Sequence, residues 1–141
     1  MNLRAAFLAQ EALQNADGTF MVWRGGITEF QVTALPVMIT ASLVLRIEAD
    51  AQEARRLHHI RFRVVHAGQE PPWHEVPAAF KEPPQPQVPS YLNLLVNFHV
   101  GVTQPGEGHI DVVVDQELIS PHLPFTVTLI PLPPGFRLPS P

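Results

Sequence analysis

Histidines and arginines are concentrated in one short stretch of the chain, LHHIRFRVVH, which runs from Leu57 to His66. Imidazole nitrogens bind zinc or iron, and neighbouring guanidinium groups bind carboxylates or phosphates. The stretch could therefore form a metal site, an anion site, or a strand with a polar outer face. A metal ion needs three or four ligands within about 2.3 Å, so the spacing of the histidines decides between these readings.

The spacing argues against a metal site in this stretch. His58 and His66 share a strand face with Ile60, Phe62 and Val64. In an extended strand, at about 3.3 Å per residue, they lie roughly 26 Å apart and cannot share an ion. His59 shares its face with Arg61 and Arg63, which would repel a cation. We therefore expect solvent-facing imidazoles, with no metal and no other cofactor. A second set of histidines, on different segments, could still converge on one ion: His99, His109 and His122.

The arginines of this stretch offer a second kind of site. Arg61 and Arg63 must point to the same side of a strand, because side chains alternate between its faces. Together they could bind a carboxylate or phosphate of a partner. The interpretation we favour is internal: they face acids of the same chain across the sheet, such as Asp111 and Asp115, or Glu48.

The two tryptophans differ in their surroundings. Trp23 alternates with Met21 in a predicted strand, which places it in the core. Trp73 lies in EPPWHEVP, where a large side chain flanked by prolines either pins the loop to the body or anchors a partner. We favour pinning. The candidate partner-binding residues are Arg61, Arg63 and Trp73.

Sequence motifs for catalysis and phosphate binding are absent. The chain has no cysteine, which excludes disulfides, thiolate metal sites and cysteine nucleophiles. No serine lies in a G-x-S-x-G elbow, and there is no glycine-rich phosphate loop. A net charge of −4 argues against a general nucleic-acid binder. We predict a protein that is not an enzyme.

Prolines mark the irregular parts of the chain. There are 16 in 141 residues, about twice the ~5% of average usage. Most lie in PPWHEVPAAFKEPPQPQVP and PLPPGFRLPSP. Proline has no amide hydrogen and a fixed φ, so neither stretch can be a central strand or a long helix. We predict a Pro-rich insertion loop over 71–90 and a Pro-rich C-terminal tail over 131–141.

The segments between the prolines have the pattern of strands. Apolar and polar residues alternate in MITASLVLRIEA, HIRFRVVH, YLNLLVNFHVGV, GHIDVVVD and PFTVTLI. Such alternation indicates antiparallel sheets with one buried face. A helical turn or two fits residues 49–57, with Asp50 as its N-cap. The prediction is an all-β antiparallel sandwich of about seven or eight strands, a single domain over 1–130.

Three motifs, in this order, resemble a family of small bacterial β-sandwich proteins of unknown function. They are AAFLAQEALQNADGTFMVWRGGITEF, HHIRFRVVHAGQE and GHIDVVVDQELISPHLPFTVTL, which span most of the chain. Helix propensity alone favours a helix over residues 3–15. The resemblance implies a strand there, and we adopt the strand. It implies no activity. The Pro-rich stretch 71–89 departs from the family's pattern, so a function particular to this chain could lie there.

We expect a non-catalytic binding or assembly protein. Charged residues make up 16% of the chain, below the ~25% of soluble domains, which suggests that part of its surface is covered. The expected partner is a second copy or another protein in a larger, phage-like assembly, with neither nucleic acid nor membrane. Two alternatives are a histidine-containing enzyme or small-molecule or metal-binding sandwich or barrel, and a carbohydrate-binding module. The N-terminus lacks a secretory pattern, so we expect a cytoplasmic location.

Overall fold

Two β-sheets pack face to face in the computed structural model, which describes residues 1–69, 71–81, 85, 87–118 and 123–135. In chain order, the strands of this part are β1 (Asn2–Gln14), β2 (Phe20–Gly25), β3 (Glu29–Val32), β4 (Val37–Ala49), β5 (His58–His66), β6 (His74–Ala78), β7 (Ser90–Val102), β8 (Gly106–Val114), β9 (Glu117–Leu118) and β10 (Leu123–Leu129). A short 3-10 helix covers Glu53–Arg55. The predicted all-β sandwich is confirmed, with more strands than expected.

The order of strands in each sheet differs from their order along the chain. The first sheet has the antiparallel order β2-β1-β4-β7. The second has the order β3-β10-β8-β5-β6, with the short β9 paired to β8. One pair, β3 and β10, is parallel, and the others are antiparallel. Both sheets are therefore completed by pairing between segments that are distant in sequence.

The core lies between the sheets and is built from the inward rows of the alternating strands. Leu43, Leu45 and Ile47 of β4 are fully buried, as their alternation predicts. Ile60 and Phe62 of β5 belong to the same buried cluster. Burial of such side chains stabilises the fold by about 1.5–3 kcal/mol each relative to exposure.

The N-terminal segment is a strand and not a helix. Residues 2–9 pair with β4, and residues 9–14 pair with β2. Pairing on two sides satisfies the backbone and buries Leu8, and this tertiary gain outweighs the helix propensity of the segment. The strand that the family resemblance implied is thus confirmed.

The Pro-rich segment contains a strand that its composition obscured. β6 pairs with β5 and is the edge strand of the second sheet. It includes Pro77, which an edge strand tolerates because only one of its sides is hydrogen-bonded. Of the predicted tail, residues 131–135 form neither helix nor strand, and residues 136–141 lie outside the described part. No helix within the described ranges has the length and hydrophobicity to cross a bilayer.

The predicted helical turn is the 3-10 helix, and Asp50 caps it. The Asp50 carboxylate accepts hydrogen bonds from the amides of Gln52 at 2.9 Å and Glu53 at 2.8 Å. In return, the Glu53 carboxylate accepts the Asp50 amide at 3.0 Å. This reciprocal capping box fixes the backbone just before β5 begins.

Gly108 in β8 provides a test of the packing between strands. An alanine Cβ there would clash with the Phe125 ring and lie 2.7 Å from the Val65 backbone oxygen. We expect Gly108→Ala to lower the free energy of unfolding by about 1–3 kcal/mol through overpacking. The control is Gly101→Ala in β7, whose Cβ would meet no atom within 4 Å. Urea unfolding of both variants measures the difference, and equal effects would contradict this packing.

Candidate functional site

The structure gathers the candidate residues into three clusters, all on or beside β5. Because side chains alternate, β5 turns its even-numbered residues toward the core and its odd-numbered residues toward the outer face. The first cluster surrounds His58, at the start of the strand. The second surrounds Arg61 and Arg63, and the third surrounds His66, at the end of the strand.

His58 is a buried histidine with acceptors on both ring nitrogens. Its side chain is 1% exposed, with Nδ1 2.5 Å from Asp115 Oδ2 and Nε2 2.6 Å from the Glu53 backbone oxygen. Asp115 and Glu53 thus give each ring nitrogen a polar partner inside the protein. The expectation of a solvent-facing imidazole is wrong here. His58 instead joins the 3-10 helix, β5 and the turn after β8.

Asp115 is fixed in position by the turn that joins β8 to β9. Asp115 and Gln116 have φ values of 47° and 76°, the consecutive positive values of a tight hairpin turn. The Asp115 carboxylate also accepts the His59 amide at 2.9 Å. Burial would raise the pKa of Asp115, but the hydrogen bonds from His59 and His58 and the charges of His58 and Arg56 outweigh it. The pKa therefore lies below its ordinary value.

Arg61, Arg63 and Trp73 come together on the outer face of the second sheet. The guanidinium carbon of Arg63 lies 4.4 Å from the centroid of the Trp73 ring, and that of Arg61 lies 5.7 Å from it. Both distances are within cation–π range. Trp73 is half-buried, so the structure supports the prediction that it pins its segment to the body.

Both arginines lie opposite an acid of the same chain, as predicted, although the acid opposite Arg61 is Glu75 and not one of those named. Arg63 Nε donates to Asp111 Oδ2 at 3.2 Å, from the position directly opposite on β8. Arg61 lies opposite Val113 in β8 and Glu75 in β6. The predicted match to Asp115 is wrong, because that carboxylate binds His58 and the His59 amide.

Two of the three histidines that could converge on a metal, His99 and His109, lie in different sheets. His99 lies in the first sheet, with Nδ1 2.9 Å from Thr40 Oγ1. His109 lies in the second sheet, with Nε2 3.6 Å from Asp111 Oδ1. His122 falls outside the described residues. Among those that are described, no group of three or more metal-binding side chains is suitably placed.

A cavity of about 390 Å³ lies between β5 and β7 at the side of the sandwich, and sequence reasoning missed it. We call it the side cavity. Apolar side chains of the two strands line it, and residues that follow β5 form much of its rim. The apolar residues are Phe62, Val64, Phe98 and Val100, and the rim includes Ala67, Gln69, Pro71 and His74.

The side cavity exists because β6 does not extend along the whole of β5. The chain turns back after β5 to make one bridge to His66, but regular pairing resumes only at His74, opposite Phe62. Pro71 and Pro72 lie in between and have no amide hydrogen with which to continue the ladder. The inward side of the end of β5 is therefore left uncovered.

His66 is a buried polar residue in the wall of the side cavity. Its side chain lines the cavity, and the residue is 7% exposed. Its ring stacks on Phe125 with centroids 5.9 Å apart and an angle of 16° between the planes. Nε2 has no hydrogen-bond partner among the described residues. The expectation of a solvent-facing imidazole is wrong here too, whereas the alternation that places His66 on the face of Ile60, Phe62 and Val64 is confirmed.

Trp23 lies on the surface, which corrects its predicted place in the core. It is 67% exposed, and Met21 and Leu13 are 65% and 59% exposed. Met21 pairs directly with Leu13, and Trp23 is two residues farther along β2. These three side chains form what we call the hairpin patch, on one face of the β1–β2 hairpin.

The opposite face of this hairpin packs against β4 and β7 of the same sheet. Ala12 and Phe20 pack with Val44 in a second, smaller apolar cluster, separate from the main core. Asn93 of β7 donates from Nδ2 to the Gly18 backbone oxygen at 2.9 Å, which fixes the hairpin's turn to the sheet. The alternation in β2 was recognised correctly, but its buried row is the one without Trp23.

Comparison with known proteins gives a family and no activity. A family model described as "Family of unknown function (DUF6941)" matches residues 4–128. No curated protein and no solved structure matches the chain. The match confirms the resemblance found in the sequence motifs. The three clusters and the hairpin patch are therefore the features of the chain that bear on its function.

The ion pair of His58 predicts a pH-dependent loss of stability. We expect Asp115→Asn to lower the free energy of unfolding by about 1–3 kcal/mol near pH 7, because buried His58 loses a charged partner. Since the folded pKa of Asp115 is depressed, its contribution is complete above the ordinary value of about 4 and is lost as the pH falls through the folded pKa. The difference between variant and wild type should shrink in acid.

Chemical denaturation at neutral and acidic pH measures this difference. Asn tolerates the positive φ of position 115, so the substitution tests the charge and not the turn. Glu117→Gln removes an exposed charge two residues away and serves as the control. A difference that stays constant into acid would contradict the assignment.

The two arginines should differ in their effect on stability. Arg63→Gln removes a hydrogen bond to the buried Asp111 carboxylate, and we expect a loss of about 1–3 kcal/mol. Arg61→Gln removes a half-buried charge, and we expect a change of about 0.5 kcal/mol or less. Thermal or urea unfolding compares the two, and a larger loss for Arg61→Gln would refute the structural role of Arg63.

Proposed function

The chain belongs to a family of unknown function, DUF6941, and we propose that it is a non-catalytic β-sandwich module that self-associates through its β1–β2 hairpin within a larger assembly. The observation that carries the proposal is the hairpin patch. Leu13, Met21 and Trp23 are each more than half exposed and adjacent in the strand register. Tryptophan and methionine are enriched at protein interfaces, where burial of their large apolar surface supplies much of the binding energy.

The position of β2 makes a second copy the partner that fits best. β2 is an edge strand of the first sheet, and its outer backbone edge pairs with no described strand. Arg24 is its one charged residue. Edge strands are usually protected by charges or proline, as β6 is by Glu75 and Pro77. An unprotected edge can pair antiparallel with the same edge of another copy about a two-fold axis, which makes the interface self-complementary.

Arg61, Arg63 and Trp73 remain a second candidate contact for a partner. Their charges and ring face the outside of the second sheet, on the strand pair β5–β6. Arg63 already binds Asp111, and Trp73 is packed under both guanidinium groups, so these residues offer less free surface than the hairpin patch. We therefore assign self-association to the hairpin. We also propose a cytoplasmic location.

The carbohydrate-binding alternative gains no support from the placement of the aromatic residues. Trp23 belongs to the first sheet, and Trp73 packs on arginines of the second. Tyr91 lies under the guanidinium of Arg46, 4.3 Å from the ring centroid. These rings do not share one exposed stacking platform.

Substitutions in the hairpin patch test self-association. We expect the wild-type protein to form dimers or larger species in sedimentation velocity experiments, and Leu13→Glu or Trp23→Ser to weaken association about tenfold or more, equivalent to about 1.4 kcal/mol. The matched control is Leu57→Glu, because Leu57 is 61% exposed but lies outside the hairpin. A wild-type protein that stays monomeric at high concentration, or equal weakening by Leu57→Glu, would contradict the proposal.

A further inference from the structure

The side cavity has the size and walls of a small-ligand site. Its volume of about 390 Å³ falls in the range of roughly 300–1,000 Å³ that is usual for ligand pockets. Val64, Phe98 and Val100 line it and are only partly buried, so they leave apolar surface open to solvent. A ligand with an apolar body would remove this surface from water, which favours binding.

The side cavity also contains polar groups that can form hydrogen bonds. His66 Nε2 is buried and unpartnered among the described residues, and leaving such a group unpaired costs about 1–3 kcal/mol. His74 stands at the mouth, stacked on Phe62 with centroids 5.3 Å apart. Gln69 and Thr103 add neutral donors at the rim. None of the described residues that line the cavity is Asp or Glu.

A metal ion does not fit this lining. The third histidine on the rim, His99, is hydrogen-bonded through Nδ1 to Thr40 on the outer side of the first sheet. That leaves His66 and His74, one fewer than the three ligands of a typical catalytic zinc site. The two imidazoles are better suited to bind an organic acceptor than to hold an ion.

We propose that the side cavity binds a small monocarboxylic acid with an apolar body. The body packs between Phe62 and Phe98, and the carboxylate accepts a hydrogen bond from His66 Nε2. A carboxylate is the acceptor of choice because it forms stronger hydrogen bonds than a neutral group. The inference is independent of self-association, since β7 and β2 are opposite edges of the first sheet.

The probes are benzoate and phenylacetate, each compared with its neutral amide. Titration of ¹⁵N-labelled protein, followed by amide chemical shifts and calorimetry, measures the affinity and the location of binding. We expect both acids to bind, with shifts concentrated in residues 62–66 and 98–101, and the amides to bind about tenfold more weakly or worse. Equal affinity for acid and amide, or no shift at millimolar probe, overturns the proposal.

Variants test whether benzoate binds in the side cavity or elsewhere on the surface. Val64→Trp fills the cavity. His66→Leu replaces the imidazole with an apolar side chain that lacks Nε2. We expect each to weaken benzoate binding at least about tenfold, whereas His66→Gln, which keeps a donor, loses less. The control is His59→Gln, on the same strand but on its outer face and paired with Glu75.

Folding of each variant is confirmed by its amide spectrum before titration, and His66→Gln and Val64→Trp still decide the question if His66→Leu does not fold. Unchanged benzoate affinity in Val64→Trp contradicts the location of the site. Stoichiometric retention of zinc by the wild type, lost in His66→Gln, would show a metal site instead and overturn the proposal.

Discussion

Every backbone amide and carbonyl in a sheet needs a partner, and the places where pairing stops determine which surfaces of this protein are open. In the second sheet, the pairing of β5 with β6 is interrupted at Pro71 and Pro72, which have no amide hydrogen. In the first sheet, pairing stops at β2, beyond which the described chain provides no further strand. The first interruption leaves the side cavity, and the second leaves an apolar edge.

The same pair of prolines acts on both faces of β5. On the inner face, the interrupted ladder leaves Val64 and His66 open to the side cavity. On the outer face, the chain that leaves the ladder brings Trp73 over Arg63. The Arg63 charge in turn compensates a carboxylate, Asp111, that would be costly to bury alone. The cluster of Arg63, Trp73 and Asp111 and the side cavity therefore both depend on the interrupted strand pairing at Pro71 and Pro72.

Much of the fold could be predicted from the sequence because alternation reports directly which residues face the core. It identified the inward rows of β4 and β5 and the position of Arg63 opposite Asp111. It failed where burial depends on a partner that periodicity does not specify. Trp23 alternates as a core residue would, but the other face of its hairpin is the one that packs against β4 and β7.

The other incorrect predictions also concern features that depend on distant parts of the chain. β6 was not predicted because its segment is rich in proline. Proline is excluded from central strands but is tolerated in an edge strand. The polarity of His58 suggested exposure, but two acceptors from distant segments satisfy it inside the protein. The side cavity arises from unequal strand lengths, which no local pattern encodes. β1 was placed correctly only through the family resemblance, since local propensity favoured a helix.

The strand order of the first sheet has a consequence for how the protein reaches its native state. β4 is the central partner of β1 and β7, and it pairs with β7 along the full length of both strands. The chain between them, residues 50–89, includes β5 and β6 of the other sheet. Neither sheet can form from one continuous piece of chain, so loop closure must precede most of the stabilising contacts. We therefore expect folding to be slow and cooperative, with the β1–β2 hairpin as the earliest local structure and the two sheets completed together.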